Sequence, residues 1–164
     1  MNTMGTPPQG GSWLRKWFGG NGPGGAEALQ ALLSQILQQE TALACHLAER
    51  ARALRFGPHR LSLEVVAERD RQNAHALARE IGCGTTLAAA ASPACRAGTL
   101  TATKLIRDLE ETEDLRSLYL QAGRLTSDVT LRHRLEGLAA DEARGSQTIR
   151  AILARMDSYV TDLP

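Results

Sequence analysis

Polar side chains at the centre of apolar helical stripes are the residues of this chain best suited to chemistry. In the segment 131–156, apolar residues recur at the spacing of one buried helix face, and continuing that stripe through its centre places Glu142 and Gly145 on the same face. A buried carboxylate is costly unless it finds a partner. Three other apolar stripes carry polar residues at a similar depth, namely Glu40, Asp70 with Asn73, and Thr112. We therefore predict one polar layer that crosses the protein core.

Three members of this layer are carboxylates, and two roles are open to them. As metal ligands, Glu40, Asp70 and Glu142 would suit a hard cation such as Mg²⁺, Ca²⁺ or Mn²⁺, because their oxygens come without an imidazole. Alternatively, the layer is a vestigial network in which the polar side chains satisfy one another, with or without bound water. In that network, burial and like charge would raise the pKa values of Glu40 and Glu142.

The pattern of the third helix does not decide which of its residues lie beside the carboxylates. We expect Asn73, Thr112 and Glu113 near them, and a one-residue shift of the third helix would bring Glu111 or Glu113 into the layer instead.

Charged side chains away from the stripes are predicted at the surface. His46 is expected to form an exposed pair with Glu49, and His133 is expected on a solvated face. A small basic cluster is predicted at the corner between the first two helices, formed by Arg50, Arg52, Arg55 and Arg60.

Four amphipathic helices would position the polar layer, at about 26–56, 61–81, 99–123 and 128–158. Phe56-Gly57-Pro58 is the strongest stop signal, and Ser62 is the expected cap of the second helix. The links between helices are short, long and short. Short links join antiparallel neighbours, whereas the long second link could run the length of the bundle. The sequence predicts an all-α four-helix bundle, either with this one crossover or as a plain antiparallel bundle with a loose loop.

Residues 1–25 hold eight of the fifteen glycines and three of the six prolines, which predicts a flexible arm. A short aromatic and basic motif lies inside it, made of Trp13, Leu14, Arg15, Lys16, Trp17 and Phe18. We predict that this motif docks a partner protein. The alternatives are that its rings cover an edge of the bundle, or that it makes weak contact with a membrane surface.

The second helix carries the closest resemblance to a known family. Its text Asp70-Arg-Gln-Asn73-Ala-His-Ala-Leu77-Ala-Arg-Glu-Ile81 resembles the Glu-x-x-His-Ala-x-x-Leu-Ala-x-x-Ile of ferritin-like proteins of the rubrerythrin and bacterioferritin type. In that register, Asp70 stands where the family has Glu, and Asn73 stands where it has His.

The other helices resemble the same family less closely, and together the resemblance covers about residues 27–157. Glu142 is retained, but Gly145 replaces the second histidine and Thr112 replaces the carboxylate of the third helix. Glu40 and Tyr119 match family positions. The resemblance implies the long crossover and a di-iron site, but in this chain the ligand set for that site is incomplete.

Composition excludes several other classes of function. The net charge of +1 gives no general attraction to nucleic acid or anionic membranes. No apolar run approaches the roughly 18 residues of a spanning helix, and residues 1–25 lack the apolar core of a secretory signal. Three cysteines, Cys45, Cys83 and Cys95, are expected as free thiols in a reducing cytoplasm, with a Cys83–Cys95 disulfide or metal clip as the alternative.

We therefore expect a non-enzymatic, cytoplasmic, ferritin-like interaction or adaptor protein that needs no cofactor and forms a homodimer. The alternative is a ferritin-like metal-binding protein, either iron-handling or a di-metal carboxylate oxidase, with a reduced ligand set for Fe, Mn or Mg.

Overall fold

The computed structural model describes residues 23–82 and 102–161, with side chains described at 25–82 and 102–156. Within these residues all regular secondary structure is helical, as the sequence predicts. The four helices are α1 (Pro23–Ala53), α2 (Gly57–Glu80), α3 (Ala102–Leu125) and α4 (Val129–Thr161). The docking motif from Trp13 to Phe18, together with Cys83, Cys95 and the long link, lies outside the described residues.

The corner between α1 and α2 is tighter than predicted. α1 ends at Ala53, and α2 already begins at Gly57. Phe56 has extended backbone angles of φ −80° and ψ 112° and precedes the helix, so Pro58 falls in the first turn. Proline is tolerated there because the first helical N–H groups have no partner within the helix. The predicted cap at Ser62 is therefore wrong, and its hydroxyl donates to the carbonyl of Pro58 at 2.9 Å.

Local signals set two other helix ends. Gly82 follows α2 with a φ of 72°, a left-handed conformation that glycine adopts without strain. At the start of α4, the carboxylate of Asp128 accepts a hydrogen bond from the backbone N–H of Leu131 at 2.9 Å. This bond satisfies one of the free N–H groups of the first turn and fixes where α4 begins.

Contacts between side chains fix the directions of the helices. From α1 to α3, Glu40 meets Tyr119, His46 meets Glu111 and Arg50 meets Asp108, so the two helices are antiparallel. From α2 to α4, Arg69 meets Asp141 and Glu80 meets Arg134, so this pair is antiparallel as well. The short connections after α1 and α3 make antiparallel hairpins. It follows that α2 and α3 run in the same direction, and the end of α2 lies at the opposite end of the bundle from the start of α3.

The core lies along the apolar stripes that the sequence indicates. Each helix contributes residues that are at most about 1% exposed, among them Leu29, Ile36, Leu47, Leu63, Leu77, Leu105, Leu131, Leu135 and Ile149. The stripe of α4 continues through Glu142 and Gly145, which are both buried. The polar layer therefore sits in the middle of the core, where water does not screen its charges.

Candidate metal centre

Three carboxylates from three helices meet in the core. Glu40 of α1, Asp70 of α2 and Glu142 of α4 have relative exposures of 0%, 1% and 0%. One oxygen from each lies within 4.8 Å of the others. We call these three residues the buried carboxylate layer. The structure thus brings together the three residues that the sequence predicts as metal ligands.

Most oxygen atoms of this layer have no hydrogen-bond partner. Both oxygens of Asp70, both oxygens of Glu142 and Oε1 of Glu40 are buried without one, and so is the side-chain nitrogen of Asn73. The exception is Oε2 of Glu40, which accepts a hydrogen bond from the Tyr119 hydroxyl at 3.0 Å. Buried polar groups in folded proteins nearly always have partners. Five of the six carboxyl oxygens of the layer therefore lack a hydrogen bond of good geometry within the described residues, although Asn73 and Glu142 lie close enough to Glu40 to affect its pKa by hydrogen bonding.

α3 closes the layer without adding a fourth ligand. Thr112 is fully buried, but its hydroxyl donates to the backbone carbonyl of Asp108 at 2.8 Å. The predicted nearness of Glu113 is wrong, because its side chain is 44% exposed and pairs with Arg150 of α4. Glu111 also lies outside the layer, because it contacts His46 and Arg107. Thr112, rather than either glutamate, points into the core since it falls on the stripe that continues to Tyr119.

Burial and mutual repulsion keep protons on the layer. Burial, reinforced by the charge of Asp70, raises the pKa of Glu40 to about 8. Burial likewise raises the pKa of Asp70 to about 7, although the nearby Arg69 opposes this rise. For Glu142, burial and then the charges of Glu40 and Asp70 raise the pKa to about 10. At neutral pH, Glu40 and Glu142 are mainly protonated, in agreement with the raised values that the sequence predicts.

Gly145, which stands where the resembling family has histidine, lies close to three neighbouring side chains. A Cβ atom at this position would lie 3.3 Å from Cγ1 of Val66 and 3.6 Å from the Thr112 methyl carbon. It would also lie 3.7 Å from a terminal nitrogen of Arg69. A side chain at residue 145 would therefore require the buried Val66 to shift by a few tenths of an ångström.

Asp108 is a buried polar residue that the sequence reasoning missed. It is 0% exposed, and its Oδ2 accepts a bond from Nε of Arg50 at 3.1 Å. The signal was present, because 105, 108, 112, 115, 119 and 122 follow an unbroken alternation of three- and four-residue steps. Burial raises the pKa of Asp108, and the charge of Arg50 opposes that rise.

The contacts between α1 and α3 contradict two predictions about surface charges. His46 does not pair with Glu49 but lies 3.4 Å from Glu111, measured from Nδ1 to Oε2. Arg50 does not belong to a solvated basic cluster, because its side chain is only 11% exposed and reaches Asp108 between α1 and α3. Both errors arise because the sequence does not show how one helix is rotated against its neighbour.

Cys45 is disulfide-bonded, which contradicts the expectation that all three cysteines are free thiols. It lies on α1 between Glu40 and His46 and is half-buried.

Comparisons with protein-family models, with curated proteins and with solved structures found no match to this chain. Among the described residues, no helix combines the length and the apolar character that crossing a membrane requires.

Proposed function

We propose that this chain is a ferritin-like bundle that binds one hard divalent cation at Glu40, Asp70 and Glu142. The observation that carries this proposal is a set of five buried carboxyl oxygens that have no hydrogen-bond partner within the described residues. They are Oε1 of Glu40 and both oxygens of Asp70 and Glu142. Oxygen atoms at this separation and burial are the ligands that Mg²⁺, Mn²⁺ and Ca²⁺ prefer.

The ferritin-like part of the proposal is supported by helix direction and by the origin of the ligands. α2 and α3 run in the same direction, which is the arrangement that a bundle with one long crossover requires. Glu40, Asp70 and Glu142 come from the first, second and fourth helices, in the positions that the resemblance assigns to acidic ligands.

A di-iron centre does not fit these residues. Asn73 and Gly145 stand where the resemblance places the two imidazole ligands. The Thr112 hydroxyl donates to the backbone carbonyl of Asp108 in its own helix. Three carboxylates can hold one ion but cannot complete two coordination spheres. We therefore assign no di-iron oxidase chemistry to the layer.

Proton release accompanies cation binding at such a site. Glu40 and Glu142 are mainly protonated at neutral pH, and ligation requires the carboxylate form. The expected consequence is an affinity that increases steeply between pH 6 and pH 8, by more than tenfold. A solvent-exposed carboxylate site would already be ionised over that range and would show a much flatter dependence.

A second candidate function is the interaction or adaptor protein with a vestigial layer. The same raised pKa values favour it, because protonated carboxyl groups remove most of the charge that a buried metal would otherwise balance. In this alternative the partner-binding residues are those of the docking motif from Trp13 to Phe18, and the homodimer stays a prediction.

Manganese binding separates the two candidates. Protein purified without chelator is analysed for metal, and Mn²⁺ is then titrated while free Mn²⁺ is followed by electron paramagnetic resonance. We expect one Mn²⁺ per chain at the layer, bound at least about tenfold more weakly after Glu142→Gln, because one of its ligands is lost. Asp114→Asn, which removes an exposed carboxylate of α3, is the matched control and should change nothing.

Two outcomes would reject the cation site. If the parent binds no Mn²⁺ that depends on Glu142, and Glu142→Leu is at least as stable as the parent, the layer is vestigial. Two irons per chain after loading with Fe²⁺ in air, with an oxidation-linked absorbance change, would instead establish a working di-metal centre.

A further inference from the structure

A second cluster of metal-ligating side chains lies between α1 and α3, apart from the buried carboxylate layer. It consists of His46 from α1 with Asp108 and Glu111 from α3. One ligand atom from each residue lies within 4.8 Å of the others, and Nδ1 of His46 is 3.4 Å from Oε2 of Glu111. We call these three residues the His46 cluster. It shares no residue with the layer.

Two atoms of this cluster are buried without a hydrogen-bond partner. Asp108 is 0% exposed, and its Oδ1 has no partner although its Oδ2 binds Arg50. Nδ1 of His46 is likewise buried and unpartnered, because its 3.4 Å contact with Glu111 does not have hydrogen-bond geometry. The cluster thus contains a buried nitrogen and a buried oxygen without hydrogen-bond partners among the described residues.

Arg50 has the position of an outer-shell partner. Carboxylates that bind metals are usually held by a hydrogen bond on the oxygen that does not face the ion. Here Nε of Arg50 donates to Oδ2 of Asp108 at 3.1 Å and leaves Oδ1 free. Its positive charge also offsets part of the repulsion between Asp108 and Glu111 when the cluster holds no ion.

The spacing and exposure of the cluster suit an ion that arrives from solvent. Asp108 and Glu111 are three residues apart, so both project from one face of α3 toward α1. The side chains of His46 and Glu111 are 37% and 32% exposed, whereas Asp108 forms the buried floor. An ion with bonds of about 2.0–2.1 Å in tetrahedral geometry separates its ligands by roughly 3.4 Å. That value matches the contact between His46 and Glu111.

We propose that the His46 cluster is a second metal site, which binds a divalent transition ion of the Zn²⁺ or Co²⁺ class with water completing the coordination. The imidazole distinguishes it from the buried carboxylate layer, because nitrogen ligands favour these ions over Mg²⁺ and Ca²⁺. The site does not depend on the cation that we propose for the layer.

Cobalt titration of the full chain at pH 7.5 tests this site. Co²⁺ with a nitrogen ligand gives visible absorption bands, and Zn²⁺ should remove these bands by competition. We expect His46→Gln to weaken Co²⁺ binding by at least about tenfold, since removal of even an outer partner costs 10–100-fold. Arg50→Met should weaken it by about tenfold through the loss of that outer partner.

The chain offers a matched control for the histidine. Nδ1 of His133 lies 3.3 Å from Oε2 of Glu136 on one face of α4, but no third metal-ligating residue of the described ranges joins this pair. His133→Gln should leave Co²⁺ binding unchanged. Glu40→Gln should also leave it unchanged, so failure of the layer as a cation site and failure of this site give different results.

Two results would overturn the proposal. The first is a parent protein that shows no Zn²⁺-sensitive cobalt bands. The second is binding that survives His46→Gln or is lost equally in His133→Gln. Amide signals of the parent that broaden around His46 and Glu111 on addition of Co²⁺ give the same answer without a variant. That measurement keeps the test decisive if a variant folds poorly.

Discussion

The buried carboxylate layer and the His46 cluster bury acidic groups in the same bundle in two different ways. In the part of the chain that the structure describes, no cationic side chain hydrogen-bonds the three carboxyl groups of the layer, although the charge of Arg69 opposes the pKa rise of Asp70. Burial raises the pKa values of Glu40 and Glu142 to about 8 and 10. In the cluster, Oδ2 of Asp108 accepts a hydrogen bond from Nε of Arg50 at 3.1 Å. The layer is thus stabilised by bound protons, whereas the cluster is stabilised by a permanent charge.

This difference in stabilisation determines how the loss of one side chain affects each region. Removing the cation from a buried ion pair leaves a charge without compensation. Removing a protonated carboxyl group leaves no charge behind. Substitutions in the two regions should therefore have opposite effects on stability.

The largest effect is expected at Arg50. Arg50→Met leaves Asp108 buried and without its ion pair, and we expect a loss of about 3–5 kcal/mol in the free energy of unfolding. Urea unfolding monitored by circular dichroism measures it. Arg52→Met is the control, because Arg52 is exposed and bonds only a backbone carbonyl. Equal losses in the two variants would remove the distinction between the cluster and the layer.

The dependence of stability on pH is a second large effect. The pKa values of all three carboxyl groups of the layer are higher in the folded chain than the usual values near 4, so the folded state binds more protons than the unfolded state above pH 5. Stability should therefore decrease as pH rises from 5 to 7, by up to roughly 1.4 kcal/mol per pH unit for each group.

Glu142→Gln sharpens this pH test. Glutamine mimics the protonated acid, so the variant should lose one group's share of the slope, on the order of 1 kcal/mol per pH unit. Urea unfolding at pH 5, 6 and 7 without added metal measures the slope. An unchanged slope would mean that Glu142 ionises in the folded chain as it does in water.

A smaller effect of opposite sign is expected from Glu142→Leu. Without metal, the substitution removes a buried polar group whose oxygens have no partner, and we expect a gain of about 1 kcal/mol. Thermal unfolding in the presence of chelator measures it. A loss larger than about 2 kcal/mol would mean that Glu142 has a stabilising partner in solution. The layer would then be stabilised by a partner group, as Asp108 is stabilised by Arg50.

The smallest effects concern two glycines of α4. Gly137→Ala should stabilise by about 0.5–1 kcal/mol, since the added Cβ would meet nothing within 4 Å and alanine favours helix. Gly145→Ala should give less or nothing, because its Cβ would lie 3.3 Å from Val66. Unfolding midpoints of the two variants measure the difference, and equal gains would show that Val66 yields at no cost.

The periodicity of the sequence predicted the layer well, because each helix shows its buried face in its own residues. The stripe of α4 placed Glu142 and Gly145 in the core without any knowledge of the other helices. The start of α2 was misplaced by four residues, because Gly57-Pro58 resembles a stop although proline fits the first turn of the following helix.

The His46 cluster could not be predicted in the same way. A strict heptad pattern predicts that Asp108 lies on the buried face of α3. Its hydrogen bond with Arg50, however, depends on how α1 and α3 are rotated and shifted against each other. Periodicity shows which face of a helix is buried. It does not show which residues of the neighbouring helix contact that face. Ion pairs between helices depend on those contacts.

The close contact between the Gly145 position and Val66 makes two residues interdependent. The Cβ atom of a histidine at 145 would lie 3.3 Å from Cγ1 of the valine, which is 2% exposed, so the valine would have to shift by a few tenths of an ångström. Trimming Val66 to alanine first would open a cavity at a cost on the order of 2 kcal/mol. We expect neither change to be favourable alone, so a larger side chain at residue 145 should be tolerated better when both changes occur together. The contact thus couples the two positions, so that a substitution at one of them changes the cost of a substitution at the other.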